Sequence, residues 1–379
     1  EWIRGVDYQE QQVGELDRWI LDELCPTRPV RIQHRSGKVW VCNSLALREL
    51  GFKDTELIDG LERSSRGLLT GRIVRRDRLL AERLKHAKAS RRPNITAYSR
   101  QLARYGIVGI TDTSASNTTD TLADFQRLSD GGELLQHFSL MGSDDLDSGY
   151  LKILLDEDRL PDLANLVGRI NQARRKGRNL AFHCVTHLEL VFALAALAEA
   201  APCEAGFDRI EHGAVVNDEM AHRLADLGLP VITQPGFLFS KGDQYLADLT
   251  RTELGSLYRF AGLQRQGVCV VASSDAPYGL VNPWQVISSA ATRRTRLGAT
   301  VGEHEQITAE QALTGYLTPS VRLNQRSSFA QARKVKVGMP ADLCVLQGEW
   351  SAQRGEAGEL EVRATLIGGS VVFDRTQTG

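Results

Sequence analysis

The sequence lacks the features of a membrane protein, a disulfide-rich secreted protein or a nucleic-acid-binding protein. It has no apolar segment of transmembrane length and no basic-then-apolar leader at residue 1. Its 46 basic and 47 acidic residues leave a formal net charge of −1, so neither a nucleic acid nor a membrane surface is expected as a partner. The six cysteines form no C-x-x-C pair, and the apolar runs around Cys269 and Cys344 predict reduced, buried thiols in a cytoplasmic protein.

A glycine-rich phosphate loop is also absent, and this absence bears on the fold. From about residue 93, the order helix, glycine, apolar strand and polar strand end repeats, which is typical of a parallel α/β fold. The predicted strands are 107–112, 136–141, 150–155, 180–183, 208–212, 230–234 and 269–275. A doubly wound sheet usually has fewer strands and a G-x-G-x-x-G motif, and no such motif follows any strand here. We therefore predict a (β/α)8 TIM barrel in which one strand is unaccounted for.

The composition changes near residue 335, where a smaller unit of β character begins. We predict a barrel domain over residues 1–335 and a small β unit over residues 336–379. Gly368 and Gly369 mark a hairpin turn in that unit. Residues 53–72, which are rich in glycine, serine and charge, are predicted to be irregular.

Four ionisable residues follow or end predicted barrel strands: Lys152, His183, His212 and Asp275. Because the carboxyl ends of barrel strands meet at one face, we expect these side chains to converge there. Imidazole nitrogens and a carboxylate oxygen are ligands for a divalent metal, and Asp275 can also accept a proton from a metal-bound water. Lys152 is costly to bury as an ammonium, but carboxylated by carbon dioxide it becomes an anionic bridging ligand.

Each of these four residues also has an ordinary structural interpretation. A single histidine at a strand end is more often a hydrogen-bonded structural residue than a ligand, and Lys152 alone is more often a solvated lysine at a strand edge. Asp275 in SSDAP alone is more often a turn or N-cap residue. Their joint occurrence, in this order and at the same end of successive strands, favours a metal site.

The segments around these residues resemble a known family. YLKILLDE, LAFHCVTH, DRIEHGAVVND, LPVITQPGF and VVASSDAPYG, in this order, are similar to the metal-dependent amidohydrolase superfamily, in its amidohydrolase-3 branch of N-acyl-amino-acid deacylases and formamide deformylases. Residues 28–47 resemble the insertion of this branch, which we place at about 26–92, and residues 337–346 resemble its return to a small β-sandwich. The resemblance extends from about residue 2 to residue 374.

This resemblance implies a fold, a reaction and a set of ligands. The fold is a distorted TIM barrel, and the reaction is hydrolysis of an amide or other C–N bond of a small molecule by metal-activated water. Lys152 matches the carboxylated lysine of strand 4, His183 and His212 match the ligands of strands 5 and 6, and Asp275 matches the strand-8 aspartate, which is the proton shuttle. Zinc is the expected metal, with one or two ions.

The sequence departs from the family at the first strand, because no H-x-H pair occurs anywhere in it. Three explanations remain open. The chain is a fragment of a longer protein, as the missing initiator Met also suggests; or it is a degenerate, non-catalytic relative; or another histidine, His34 or His187, replaces the pair. The first is favoured physically, because a barrel without strand 1 exposes two unpaired edges. On this view the β unit after residue 335 is the remnant of the sandwich.

Other residues are candidates for the substrate pocket. Gln234 and Tyr245 are predicted to bind substrate, with residues 241–249 as a loop over the barrel mouth, and Asn282 and Trp284 are further candidates. Arg209 and Glu211 flank His212 and, by strand alternation, are expected to point to the other face and to pair with the barrel helices.

Two functions from different classes follow. The first is a metal-dependent hydrolase of a small amide or N-acyl compound. The alternative is a truncated, catalytically degenerate binding or scaffold protein on the same barrel. The small β unit also offers an interface for a homo-oligomer, although nothing in the sequence demands one.

Overall fold

A computed structural model describes residues 1–87, 94–202, 208–317, 334–350 and 360–377. The chain divides into two compact units, residues 1–93 and 94–379. The predicted domain boundary at residue 335 stays a prediction. No helix in the described part of the chain is both long enough and apolar enough to cross a membrane.

The first unit contains a five-stranded sheet with short helices. Its elements are β1 (Ile3–Tyr8), α1 (Glu10–Val13), α2 (Arg18–Leu24), β2 (Val30–His34), β3 (Val39–Cys42), α3 (Ser44–Glu49), β4 (Leu61–Arg63), β5 (Leu69–Val74) and α4 (Asp77–His86). The strand order is β1-β2-β3-β5-β4, in which β1 and β2 are parallel and the other neighbours are antiparallel.

The prediction that residues 53–72 are irregular is wrong, because β4 and part of β5 lie there. In β5 the side chains alternate between the core and the surface, with Leu69 and Ile73 buried and Thr70 and Arg72 partly exposed. This period of two is the physical signature of a half-buried strand.

The second unit contains a parallel sheet with helices and a small antiparallel sheet. Its elements are α5 (Ile95–Arg104), β6 (Gly109–Asp112), α6 (Thr119–Asp130), β7 (His137–Gly142), β8 (Tyr150–Leu154), α7 (Leu163–Arg175), β9 (Leu180–Cys184), α8 (His187–Glu199), β10 (Arg209–His212), α9 (Asp218–Asp226), β11 (Val231–Thr233), α10 (Gly236–Asp248), α11 (Arg251–Gly255), α12 (Ala261–Arg265), β12 (Val270–Ala272), α13 (Pro283–Thr292), α14 (Ala309–Leu317), β13 (Leu343–Leu346), β14 (Val362–Ile367) and β15 (Ser370–Asp374).

The seven predicted barrel strands are confirmed as one parallel sheet, in the order β12-β11-β10-β9-β8-β7-β6. Each strand therefore neighbours the next strand of the chain, as in a TIM-barrel-like fold. The sheet is curled, because the indole Nε1 of Trp284, which follows β12, donates to the carbonyl oxygen of Tyr105, which precedes β6, at 3.2 Å. The absence of a first strand stays a prediction.

Glycines end the helices that precede several strands. Gly106, Gly177, Gly228 and Gly267 all have a positive φ, between 62° and 84°. A glycine adopts this left-handed conformation without the steric cost that a Cβ imposes, so it ends a helix and releases the chain into the following strand.

The predicted hairpin at the end of the chain is confirmed within a three-stranded antiparallel sheet, β13-β14-β15. Gly368 and Gly369 form its turn with φ of 57° and 85°, as a two-residue turn with two left-handed residues requires. The buried hydroxyl of Thr365 donates to the carbonyl oxygen of Ala103 at 2.7 Å, so this sheet packs on α5. Its relation to a sandwich stays a prediction.

The apolar residues of the parallel strands that face the helices form the main core. Leu151, Ile153, Phe182 and Ile210 belong to it, and each is at most 1% exposed. The prediction that Cys269 and Cys344 are buried is wrong, since both residues are exposed. Cys269 directly precedes β12, and Cys344 lies on the edge strand β13, where neighbours cover one side only.

Candidate active site

Three of the four predicted ligands lie on adjacent strands at the same edge of the sheet. Lys152 is on β8, His183 on β9 and His212 on β10, and the register places His183 beside Leu154 on one side and Glu211 on the other. The imidazole rings of His183 and His212 are 4.5 Å apart between centroids, at an interplanar angle of 78°. Asp275 follows β12, and its charge acts on both His212 and Lys152.

His212 reaches this site through an unusual backbone conformation. By alternation with Ile210, which packs in the core, the side chain of His212 would face the helices. Instead His212 has a φ of 70°, in the left-handed region that non-glycine residues rarely adopt, and its ring contacts His183. Asp275 is also left-handed, with a φ of 52°. Two such residues in one site indicate a geometry that the surrounding structure enforces.

The amide of Gln234 fixes which nitrogen of His212 carries a proton. Gln234 Nε2 donates to the carbonyl oxygen of Ile232 at 3.0 Å and to Ser273 Oγ at 2.9 Å, so its Oε1 faces His212. Nδ1 of His212 lies 2.8 Å from that oxygen. An amide oxygen only accepts hydrogen bonds, so Nδ1 donates, and Nε2 keeps its lone pair for a ligand.

Burial disfavours charge on three titratable groups of the site, Lys152, His212 and Asp275. It lowers the pKa of His212 and of Lys152, although the negative charges of Asp275 and Glu211 oppose this shift. Burial raises the pKa of the Asp275 carboxyl, against the positive charges of His212 and Lys152. Neutral imidazole is the form of histidine that binds metals, and a carboxyl with a raised pKa exchanges protons closer to neutral pH.

Lys152 and Asp275 differ from most buried ionisable groups. Lys152 is 5% exposed, yet within the described part of the chain neither side chain makes a hydrogen bond or an ion pair within 4.0 Å. Buried charges are normally paired or bound to metals. This edge of the sheet is therefore a candidate binding site.

The prediction that Arg209 and Glu211 face the helices is wrong. Arg209 Nε donates to Glu211 Oε1 at 2.6 Å, and its guanidinium lies 4.8 Å from the ring centre of Tyr150. Tyr150 and Lys152 share one face of β8, so Arg209 and Glu211 line the same side of the sheet as Lys152. In a regular strand, Arg209 and Glu211 are two residues apart and face the same side, opposite to the core residue Ile210. This spacing is the sequence signal that could have placed Glu211 in the site. His212, the next residue, departs from the alternation.

The two histidines considered as substitutes for the H-x-H pair lie elsewhere. His34 is in the first unit, where its Nε2 is 2.9 Å from Glu10 Oε2 and its Nδ1 is 2.7 Å from Ser36 Oγ. His187 is the exposed first residue of α8, which Thr186 caps. In the described residues, no three His, Cys, Asp or Glu side chains are close enough together to hold a metal ion.

The predicted loop at residues 241–249 is wrong, because most of it lies in α10. Tyr245 is half-buried on this helix, and its hydroxyl is 3.4 Å from that of Tyr258. Asn282 caps α13 through the backbone nitrogen of Trp284. Asn282 and Trp284 border a cavity of about 720 Å³ that α5 and β14 also line.

Known proteins resemble this chain in sequence and in fold. An N-substituted formamide deformylase of Arthrobacter pascens is 24% identical, over 99% of this chain and 80% of the relative. The putative amidohydrolase YtcJ of Bacillus subtilis is 26% identical over 55% of this chain, which corresponds to 40% of that protein.

An uncharacterized metal-dependent hydrolase of Pyrococcus furiosus has a similar solved structure, with a TM-score of 0.59 and 20% identity. The similarity covers 83% of this chain and 72% of that one, and it supports the fold. The amidohydrolase-3 family model, described as the Amidohydrolase family, matches residues 1–373. The chain therefore belongs to the amidohydrolase family.

Proposed function

We propose that this protein is a metal-dependent hydrolase that cleaves an amide or other C–N bond of a small molecule. The observation that supports this most directly is the pair of imidazole rings of His183 and His212, 4.5 Å apart, beside a buried lysine and a half-buried aspartate. Membership of the amidohydrolase family supports hydrolysis of C–N bonds as the reaction class.

The donor atoms at this edge are of the kinds that bind a divalent cation, although His183, His212 and Asp275 do not lie close enough together in this structure to hold one. His183 and His212 would supply imidazole nitrogens, Asp275 a carboxylate oxygen, and Lys152, once carboxylated, an anionic oxygen. Zinc accepts this mixture of nitrogen and oxygen ligands, and we propose it as the metal. When bound, it would supply the acidity that makes water nucleophilic at neutral pH.

The chain's own residues then have separate tasks. Asp275 takes a proton from the attacking water and delivers it to the leaving nitrogen, a task for which burial has raised the pKa of its carboxyl. Gln234 orients His212 through the 2.8 Å contact with Nδ1, so we assign it to ligand orientation more than to substrate binding. Tyr245, half-buried on α10, is the proposed contact with the substrate.

We propose that the substrate is a small amide, with N-substituted formamides and N-acyl amino acids as the first classes to test. The formamide deformylase name of the Arthrobacter relative motivates the first class.

Metal content and hydrolysis test this proposal together. The purified protein is reconstituted with zinc and bicarbonate, its bound metal is measured by elemental analysis, and formamides and N-acyl amino acids are assayed. His212→Ala should lower the bound metal, whereas His222→Ala, on the exposed face of α9, should not.

A reconstituted protein that holds no zinc or iron and hydrolyses none of these compounds would be a binding or scaffold protein instead. Equal metal content in the His212→Ala and His222→Ala variants would show that the ligand assignment is wrong.

A further inference from the structure

A segment distant in sequence lies beside the turn that follows His212. The backbone nitrogen of Tyr258 donates to the carbonyl oxygen of Ala214 at 2.7 Å, and Val216 donates to Ser256 at 3.1 Å. These two hydrogen bonds form a short antiparallel pairing between residues 214–216 and 256–258. Tyr258 is thereby held next to the strand end that carries His212.

The backbone of Tyr258 is in a costly conformation that its surroundings maintain. Its φ is 43°, in the left-handed region, which is unfavourable for an aromatic residue. Arg293 is 1% exposed and binds both carbonyl groups of this turn: Nη1 donates to Tyr258 at 3.0 Å and Nη2 donates to Leu257 at 2.7 Å. A third hydrogen bond, from Nε to Val301, fixes the guanidinium itself. Such enforced strain is most common at functional sites.

The side chain of Tyr258 is buried between aromatic rings. It is 3% exposed, and its ring centre lies 5.7 Å from that of Phe237. Its hydroxyl is 3.4 Å from the hydroxyl of Tyr245. Burial raises the pKa of Tyr258, and Tyr245 and the negative charge of Asp275 add to this, so the phenol remains a protonated donor.

The burial of Tyr258 favours one donor direction for the hydrogen bond between the two hydroxyl groups. A buried phenol has no access to water, and among the described residues the acceptor recorded for the Tyr258 hydroxyl is the oxygen of Tyr245. If Tyr258 donates to Tyr245, the proton of Tyr245 points away from Tyr258, to an acceptor on the more exposed side. A carbonyl oxygen that becomes negative during attack by water is such an acceptor.

We propose that Tyr258 is a positioning residue, which holds the Tyr245 hydroxyl so that Tyr245 donates to the oxygen of the scissile carbonyl beside Asp275. This inference rests on the proposed hydrolase function. It assigns a role to Tyr258 that neither its position in the chain nor the family resemblance provides.

A cycle of tyrosine-to-phenylalanine variants tests the proposal, with N-phenylformamide and N-acetyl amino acids as probes. Tyr245→Phe should lower kcat by about 10- to 100-fold with little change in KM, because the donor acts on charge that develops in the transition state. Tyr258→Phe should lower kcat by about 5- to 20-fold in the wild-type background, but by less than about 2-fold in the Tyr245→Phe background, since residues that act as one unit are not additive.

Tyr316→Phe is the matched control. The Tyr316 hydroxyl is buried without a hydrogen-bond partner in the part of the molecule that is described, so its removal should leave kcat unchanged. A purely structural role of Tyr258 would lower the melting temperature and leave the kcat of the folded enzyme unchanged, so both quantities are measured for every variant.

The outcomes separate this inference from the proposed function. An active wild type in which Tyr258→Phe retains its kcat, or reduces it equally in both backgrounds, overturns the role of Tyr258 alone. A wild type that hydrolyses no probe overturns the proposed function and this role with it. If Tyr258→Phe does not fold, Tyr245→Phe decides, since an unchanged kcat there removes the donor that Tyr258 is proposed to position.

Discussion

Buried charge occurs at both edges of the parallel sheet, but it is organised differently at each. At the amino edge, defined by Arg174, Arg178, Asp208 and Thr365, each of these side chains makes at least one hydrogen bond, although Nε and Nη1 of Arg174 are buried without a partner among the described residues. Asp208 is 2% exposed, with Oδ2 2.5 Å from Arg174 and Oδ1 accepting from the backbone of Leu180 at 2.9 Å. Arg178 donates to the carbonyl oxygens of Ser143 and Tyr150.

The carboxyl edge, defined by Lys152, His183, Glu211, His212 and Asp275, differs in this respect. Lys152 and Asp275 affect each other and His212 through charge, with no side-chain hydrogen bond of their own among the described residues. In parallel α/β barrels the amino edge serves stability and the carboxyl edge serves chemistry. The hydrogen-bonded side chains of the amino edge, and the lack of side-chain hydrogen bonds at Lys152 and Asp275 among the described residues, agree with this division.

The largest effect is expected from Asp275→Asn at the carboxyl edge. The amide cannot accept the proton of the attacking water, so kcat should fall by about 100- to 10,000-fold while the protein stays folded. Steady-state kinetics, with metal content and melting temperature measured in parallel, check this. Turnover near the wild-type value would remove Asp275 from the mechanism and weaken the contrast between the edges.

Asp208→Ala should have the opposite profile at the amino edge. It leaves the Arg174 guanidinium without its buried partner, so the free energy of unfolding should fall by about 3 kcal/mol, with kcat of the folded enzyme unchanged. Urea denaturation measures this. The control is Asp144→Ala, whose ion pair with Arg169 is exposed and should be worth no more than about 1 kcal/mol. Similar losses in both variants would contradict the special status of Asp208.

Gln234→Leu should weaken zinc binding at the proposed metal site with little effect on stability. Without the acceptor for Nδ1, His212 loses its fixed orientation, and zinc affinity should drop by about 10- to 100-fold. Competition with a chromogenic chelator measures this affinity. Ser273→Ala removes only one anchor of the Gln234 amide and should have a smaller effect. An unchanged affinity in Gln234→Leu would show that the 2.8 Å contact does not orient a ligand.

The smallest effect is expected at the amino edge, from Thr365→Val. The variant loses the buried hydrogen bond to Ala103 and leaves that carbonyl oxygen unpaired by the hydroxyl, at a cost of about 1 kcal/mol in unfolding free energy. Thr119→Val, which removes an exposed hydrogen bond to Asp145, is the control and should cost less. A loss of kcat in Thr365→Val would mean that the two edges are coupled.

Much of the second unit was predictable from sequence because its signals are local. Glycines such as Gly177 and Gly228 end helices through a left-handed conformation that other residues avoid. The strand that follows each of them is apolar, so it is expected in the core. The positions of Lys152, His183 and His212 at one edge then follow from the geometry of parallel strands. Their role as ligands stays a proposal.

The remaining features depend on interactions that the sequence does not display. Glu211 faces the site by regular alternation with the core residue Ile210, and His212 faces it only because it is left-handed, which nothing in the sequence RIEH indicates. Tyr258 comes next to His212 through a pairing between segments 40 to 44 residues apart, and Arg293 stabilises that pairing from a third segment. By contrast, β5 does have a local signal, because apolar Leu69 and Ile73 alternate with polar Thr70 and Arg72. The glycine at position 71 and the charge at position 72 make this alternation hard to recognise in the sequence.

The contact between Trp284 and Tyr105 has a consequence for how the molecule assembles. Each parallel strand pairs with the next in the chain, so the sheet can grow one unit at a time while the polypeptide is being synthesised. The indole hydrogen bond spans 179 residues, and it forms only after the seventh strand has been made. Closure of long loops is entropically slow, so this bond should belong to the last stage of folding.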